Sequence, residues 1–325
     1  MEYAIQVAQP GGPEVLQYTE IELPAPQPGE VLVRQHAIGL NFLDVYYRSG
    51  LYPHPLPLVP GVEGAGVIEA VGDGVTELKV GQRVAYASRQ LGAYASARLI
   101  AQTELVPLPD DISFETAAAI MLQGLTAQYL LRQTYVVKPG DTILFHAVAG
   151  GLGLFACQWA KALGATVIGT VGSNEKAAVA RAHGCDHPIV YTRDNVVEKV
   201  REITNGEGVP VVYDSVGKDT YEISLDSLRP QGLFVSCGNA SGPIPLLDSR
   251  ELMKRGSLFF TRPGVFSYTA RRENYLQMAR DVFEIVQSGK VQPQINQRYA
   301  LADVAQAHGD LEGRKTTGKT ILLPR

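Results

Sequence analysis

The stretch Phe145-His146-Ala147-Val148-Ala149-Gly150-Gly151-Leu152-Gly153 decides the fold. Thr142 to Ala147 reads as a buried strand, and Leu152 to Leu163 reads as a helix stopped by Gly164. A strand that passes through glycines into a helix is where a backbone can cradle a pyrophosphate. Glycine admits close approach, and the helix N-terminus leaves N–H groups without intrahelical partners. The usual G-x-G-x-x-G is incomplete here: Val148 stands at the first glycine position, Gly150 and Gly153 at the other two. Ala149, Gly150, Gly151, Leu152 and Gly153 are the expected pyrophosphate contacts.

Outward from this turn the pattern alternates. Thr166 to Val171 predicts the next strand, and Asn174 to His183 a helix ended by Gly184. Ile189 to Tyr191, Val209 to Tyr213 and Leu233 to Cys237 continue as strands, with helices near 194–204 and 218–228 between them. Ser257 to Thr261 predicts one more strand. Such alternation calls for a parallel sheet covered on both faces. Residues 1–122 read differently, as short strands such as Val31-Leu32-Val33 and Val67-Ile68-Glu69-Ala70-Val71 between turns and coil. Pro53, Pro55, Pro57 and Pro60 keep their segment extended. Ser113 is the expected N-cap of an Ala-rich run. After Pro263 a long helix near 271–288 leads to a short β-like tail, too small to bury a core by itself. The expectation is a doubly wound α/β domain at 123–264, inserted in a β-rich domain made of 1–122 plus 265–325.

The end of the second strand bears on cofactor choice. About 20 residues past the glycine turn, an NAD site carries an acid for the ribose hydroxyls. This chain has Gly169-Thr170-Val171-Gly172-Ser173-Asn174-Glu175-Lys176 there, with no acid at the strand end. Gly172 leaves room for a 2′-phosphate, and Ser173 and Lys176 would bond and neutralise it. NADPH is the expected cofactor. A purely structural Lys176 would sit at a helix start, where the dipole mildly disfavours a cation.

Composition narrows the class. The 325 residues suit two domains, and 45% hydrophobic with 19% charged residues is the make-up of a globular protein. A net charge of −4 supplies no field that would draw nucleic acid or anionic lipid. Met1-Glu2-Tyr3-Ala4 lacks the basic, then apolar, pattern of a signal peptide, and no run approaches a membrane span. Cys157, Cys185 and Cys237 are odd in number and far apart, which argues for a reducing compartment, so the cytoplasm is expected.

Along nearly its whole length the sequence resembles the zinc-free quinone oxidoreductases, the zeta-crystallin-like branch of the medium-chain dehydrogenases/reductases. The resemblance rests on Gly11-Gly12-Pro13-Glu14-Val15-Leu16, Gly39-Leu40-Asn41-Phe42-Leu43-Asp44 and Pro60-Gly61-Val62-Glu63-Gly64-Ala65-Gly66. It continues through Gly124-Leu125-Thr126-Ala127, the glycine turn and Gln158-Trp159-Ala160-Lys161. Val148 departs from the small residue usual in this branch. The resemblance implies a Rossmann-type sheet inserted into a GroES-like domain, with nicotinamide in a cleft between them. In zinc alcohol dehydrogenases, cysteine, histidine and cysteine hold the catalytic metal at positions matching Asn41, Val62 and Leu122. Valine and leucine cannot coordinate a cation, so no metal is expected.

Candidates for the reacting end, on the same resemblance, are Asn41, Asp44, Tyr46, Tyr52 and Arg262. A tyrosine offers a ring face and an O–H, and an arginine would steady developing negative charge. Equally, Asp44 would anchor a turn or pair with Arg48, Tyr46 would fill space, and Tyr52 would cap the proline run. The resemblance adds cofactor contacts at Asn41, Thr126, Tyr191, Ser215, Cys237, Gly238, Asn239, Arg314 and Lys319. Cys237, ending a buried strand, reads as small and apolar rather than reactive. The expected activity is NADPH-dependent reduction of a quinone without metal. The alternatives are reduction of a 2-alkenal or enone and, more distantly, a non-enzymatic NADPH-sensing RNA-binding protein. The apolar segment 257–261 as an exposed edge strand would pair two copies into a homodimer.

Overall fold

Thr142–Phe145 becomes the third strand of a six-stranded parallel sheet in the computed structural model, which describes residues 1–324. From edge to edge the strands are His187–Val190, Thr166–Val171, Thr142–Phe145, Val209–Asp214, Leu228–Ser236 and Phe259–Thr261. In chain order that is 3-2-1-4-5-6, with the direction of winding reversing between Thr142–Phe145 and Val209–Asp214. The crevice beyond the strand ends at such a reversal is where open α/β sheets bind ligands. These strands are apolar on both faces because helices cover both. Leu144, Ile168, Val212 and Phe234 are fully buried, packed with Val200 and Leu225 from the intervening helices.

Most differences from the sequence expectation are at element ends. The first strand stops at Phe145, because Ala147 adopts φ +54° and starts the turn. The strand expected at 233–237 runs instead over Leu228–Ser236. The helices here include Gly151–Ala162, Asn174–Ala182, Val196–Ile203 and Tyr221–Ser227. They belong to one compact unit, Thr126–Tyr268 with Ser288–Gln292.

The other unit comprises Met1–Leu125, Thr269–Gln287 and Pro293–Arg325. Its sheet runs Ile295–Ala300, Lys319–Leu323, Glu30–Leu40, Glu63–Val71, Arg83–Ala87 and Val106–Pro107, with Ala97–Ala101 also pairing Glu30–Leu40. Thr320 pairs with Leu40 and Gly39 with Glu63, so the C-terminal strand joins the N-terminal sheet. Ile5, Val33, Ile38, Ile68, Val84, Tyr94 and Leu322 form its core. Tyr275 of the long helix Arg272–Gln287 accepts from Ala87 N–H (3.0 Å) and donates to the Glu104 carbonyl (3.1 Å).

Two helices were not anticipated in this unit. Val304–Glu312 lies inside the tail expected to be β-like. Phe42–Arg48 interrupts a segment read as strands and coil. Seven residues carry too little periodicity to announce a helix, and this one is fixed at its start by side chains. Asn41 and Asp44 form a capping box in which Asp44 Oδ2 accepts from Asn41 N–H at 2.9 Å.

Candidate cofactor and active site

The glycine turn is built by close packing. Val148 N–H donates to the Thr170 carbonyl (3.1 Å), and Ala147 N–H donates to Thr170 Oγ1 (3.2 Å). His146 Nδ1 lies 3.0 Å from the same hydroxyl, so one threonine ties down three consecutive residues. Burial holds His146 below the ordinary histidine pKa, leaving its ring neutral. A Cβ on Gly153 would stand 2.6 Å from both the Ala147 carbonyl oxygen and Val148 Cα. Only glycine lets the helix start this close to the turn. The departure at Val148 is absorbed across the sheet: its side chain fills the space beside Gly169, where a Cβ would meet Val148 Cγ1 at 2.4 Å.

Gly150 is the N-cap of a 12-residue helix and has no side chain to cap it. The N–H groups of the first turn, at Gly151, Leu152 and Gly153, therefore face outward for an anion. This arrangement fits a dinucleotide pyrophosphate. At the next strand end, Ser173 is the N-cap of Asn174–Ala182 and accepts from Lys176 N–H at 3.3 Å. Gly172 packs beneath the ring of Tyr191, whose hydroxyl a Cβ there would meet at 2.9 Å, and Tyr191 is exposed. Arg193, not anticipated from sequence, joins this corner: its guanidinium donates to Asn174 Oδ1 (3.3 Å) while pairing with Asp194 (2.9 Å). It sits two residues after Tyr191, on the turn following a strand, a position that no local motif marks.

At the ends of the central strands, Asp214 is fully buried and accepts from Val216 N–H, Gly217 N–H, Thr220 Oγ1 and Ser224 Oγ, which shapes the turn carrying Ser215. Gly238 lies against it, since a Cβ there would stand 2.3 Å from the Ser215 carbonyl oxygen. Cys237 is half-buried, and desolvation pushes its thiol up to about 12. Asn239 and Thr126 are half-buried. Arg262 is exposed and donates to the Ser236 carbonyl (2.9 Å), one residue before Cys237. Two tyrosines missed in the sequence lie here. Tyr129 stacks on Tyr268 at 4.4 Å, and Tyr268 shares a 2.8 Å hydrogen bond with Thr134. Burial raises the Tyr129 hydroxyl pKa, with Cys237 adding to the rise and Arg262 and Thr126 opposing it.

In the other unit, the capping box places Asn41 at the start of an aromatic cluster. Tyr46 and Tyr52 have ring centroids 5.2 Å apart, Phe42 lies 6.4 Å from Tyr46, and Tyr47 lies 5.9 Å from Tyr52. Tyr52 N–H donates to the Tyr46 carbonyl, folding the segment back on the helix. Tyr46 is buried and Tyr52 half-buried. Asp44 is sealed from solvent at 0% exposure, its Oδ2 occupied by Asn41 N–H and the Tyr94 hydroxyl (2.8 Å). It shapes the helix start and offers no surface to a substrate. Its expected alternative partner, Arg48, pairs with Glu312 instead, at 2.8 Å and 2.9 Å.

Lys319 also lies where sequence did not put it. It is 2% exposed, and its ammonium donates to Asn41 Oδ1 (2.7 Å) and to Glu63. Arg314, by contrast, is exposed at the end of Val304–Glu312 with φ +58°. Among the described residues, no three His, Cys, Asp or Glu side chains gather as a metal site.

Comparison with known proteins supports the fold described above. Residues 27–138 match the alcohol dehydrogenase GroES-like domain, and residues 151–283 match a domain described as zinc-binding dehydrogenase. The donor set does not suit the metal in that description: Val62 and Leu122 present hydrocarbon, and Asn41 Oδ1 already faces an ammonium. The chain is 57% identical to a quinone oxidoreductase of Pseudomonas aeruginosa, over 98% of this chain and 99% of the relative. It is 45% identical to a 2-haloacrylate reductase of a Burkholderia species over the full length of both. Its structure matches that of an Escherichia coli quinone oxidoreductase complexed with NADPH at a TM-score of 0.97, with 47% identity, covering 99% of this chain and 100% of that one.

Proposed function

The chain belongs to the quinone oxidoreductase family of medium-chain dehydrogenases/reductases, and on that premise we propose that it reduces a quinone with NADPH. The observation that carries the reading is the glycine turn. Gly153 is sterically obligatory there, and the uncapped helix start beside it is suited to a pyrophosphate. Bound NADPH supplies a hydride, and with one proton the balance is quinone + NADPH + H⁺ → hydroquinone + NADP⁺.

The chain's own residues do the rest. Ala149 to Gly153 hold the pyrophosphate, with Gly172, Ser173, Lys176 and Tyr191 around the 2′-phosphate. Arg193, beside Asn174, adds a second cation at that corner. We assign Thr126, Ser215, Cys237, Gly238 and Asn239 to the nicotinamide riboside, with exposed Arg314 as a further cation. Asn41 orients the reacting ring, while Tyr46 and Tyr52 offer a flat apolar face and O–H donors to a quinone. Arg262 stabilises negative charge as it develops on a quinone oxygen. A quinone is electron-poor and accepts hydride without a Lewis acid. We assign cofactor binding to the unit Thr126–Tyr268 with Ser288–Gln292, where the sequence expectation was 123–264, and substrate binding to the other unit, expected as 1–122 plus 265–325.

One further reading has a specific basis. The likeness to a 2-haloacrylate reductase supports hydride delivery to an activated C=C bond. Parallel assays of NADPH oxidation with a simple quinone and a 2-alkenal, and with NADH as control, separate the two. Faster quinone turnover supports the principal reading; turnover with the alkenal alone overturns it in favour of the second.

We also propose a cytoplasmic homodimer. Phe259–Thr261 is the outer strand of its sheet, and Phe259 is 61% exposed, which supports edge-to-edge pairing of two copies. No helix among the described residues is long and apolar enough to cross a membrane. A monomer mass by light scattering, or an unchanged dimer mass for Phe259→Asp, would overturn the pairing.

A further inference from the structure

Three strands converge on one side chain. Glu30–Leu40 ends at Asn41, Lys319 opens the strand on one side, and Glu63 opens the strand on the other. Lys319 Nζ donates to Asn41 Oδ1 (2.7 Å), and Asn41 Nδ2 donates to Glu63 Oε1 (2.7 Å). Lys319 closes the ring by donating to the same Glu63 oxygen, while Leu122 N–H donates to Glu63 Oε2 (2.7 Å). The three residues are 2%, 8% and 0% exposed in the order Lys319, Asn41, Glu63. Gly39 makes the room: a Cβ there would collide with the Glu63 carboxylate.

We propose that Lys319 and Glu63 are positioning residues that lock the Asn41 amide in one orientation for hydride transfer. An ammonium only donates and a carboxylate only accepts. Turning the amide over would set its NH₂ against the ammonium and its carbonyl against the carboxylate, with almost no water present to soften either clash. Nδ2 also donates to the Gly39 carbonyl (3.4 Å), and in the capping box the Asn41 side chain faces the Asp44 N–H, so the whole amide is held in one direction. Asp44 fixes the same residue from its backbone side. The ion pair thus acts on the reaction through Asn41 rather than by touching NADPH. The inference rests on the reading of Asn41 as a residue that orients the reacting ring.

The test uses the full chain and a double substitution that removes both charges of the pair together, Lys319→Met with Glu63→Gln, in wild-type and Asn41→Ala backgrounds. Against wild type, kcat for quinone reduction should fall ~10-fold or more, since small misplacements of an orienting group cost this much. The NADPH dissociation constant, from fluorescence titration, should move less than about 3-fold, while the isotope effect with NADPH deuterated at the transferred position rises. Against Asn41→Ala, the same double substitution should change kcat less than about 2-fold, because the residue it acts through is gone. Should the double variant not fold, Glu63→Gln alone carries the same comparison. Equal losses in both backgrounds overturn the proposal, as does weakened NADPH binding with unchanged kcat. If Asn41→Ala lowers kcat and the double substitution does not, this inference alone falls. If Asn41→Ala leaves kcat and KM unchanged, the reading of Asn41 falls and takes the inference with it.

Discussion

Arg48 donates to Nδ1 of His308 across 3.1 Å, and that contact sets the direction of a buried hydrogen-bond chain. With Nδ1 accepting, the ring proton is on Nε2, which lies 3.0 Å from the Tyr94 hydroxyl. Tyr94 in turn donates to Asp44 Oδ2 (2.8 Å), whose other oxygen, Oδ1, is buried without a partner. Burial, with the nearby Arg48 charge, holds His308 down to about 3, and burial pushes Asp44 up to about 7. Lys319 opposes the rise of Asp44 and Glu63 adds to it.

The two groups should make opposite contributions to stability against pH. Asp44, raised from 3.8, stabilises fully at low pH and loses that contribution as pH rises through about 7. His308, lowered from 6.5, contributes above 6.5 and loses this as pH falls toward about 3. Between about pH 4 and 6.5 the slopes nearly cancel. Asp44→Asn should therefore make stability rise with pH in that window, by up to about 1.4 kcal/mol per unit, and His308→Gln should make it fall. Urea midpoints across the window measure both; parallel pH profiles for the two variants would contradict the assignment.

Gly153→Ala should impair the cofactor site more than its size suggests. The new methyl meets backbone at 2.6 Å, so the turn or the helix must shift. A cost of about 1–3 kcal/mol in thermal stability is expected, with NADPH affinity reduced ~10-fold or more. Unchanged affinity would mean that the helix start does not contact the pyrophosphate.

Lys176→Glu should lower kcat/KM for NADPH by ~100-fold and leave NADH within about threefold, because only NADPH carries the 2′-phosphate. Ser173→Ala should show a smaller cofactor effect with a stability loss of about 1 kcal/mol, since its hydroxyl also caps a helix. Steady-state kinetics with both cofactors and a melting curve separate the two roles.

Cys237 should be slow to alkylate. A thiol pushed to about 12 is almost wholly protonated near neutrality, and the thiolate is the nucleophile. Incubation with iodoacetamide near neutral pH should leave quinone reduction intact over an hour. Rapid inactivation that Cys237→Ala abolishes would show a thiolate where burial forbids one.

The parallel sheet was legible because its signals are local: Thr142 to Phe145, the glycines at 150 to 153 and the stop at Gly164 lie within one βα unit. The strand end at Val171 and the helix start after Ser173 were legible for the same reason, lying at a set distance from the turn. Arg193, Tyr129 and Tyr268 were not, since each reaches its place from another strand or helix. Helix Phe42–Arg48 escaped because seven residues show no clear period, although the spacing of Asn41 and Asp44 spelled out its cap.

Sequence alone determined the βα order, the glycine turn, the missing acid at the second strand end and the apolar residues at Val62 and Leu122. Each depends on residue type at short spacing, and short-range sterics and hydrogen bonding decide such features. Only the tertiary structure decided what Lys319, Asp44 and His308 do. Lys319 meets Asn41 across 278 positions, and His308 meets Arg48 across 260. Whether a lysine reaches solvent or is sealed against a carboxylate depends on which strands pair. That pairing is set by burial over the whole sheet, not by the residues beside it.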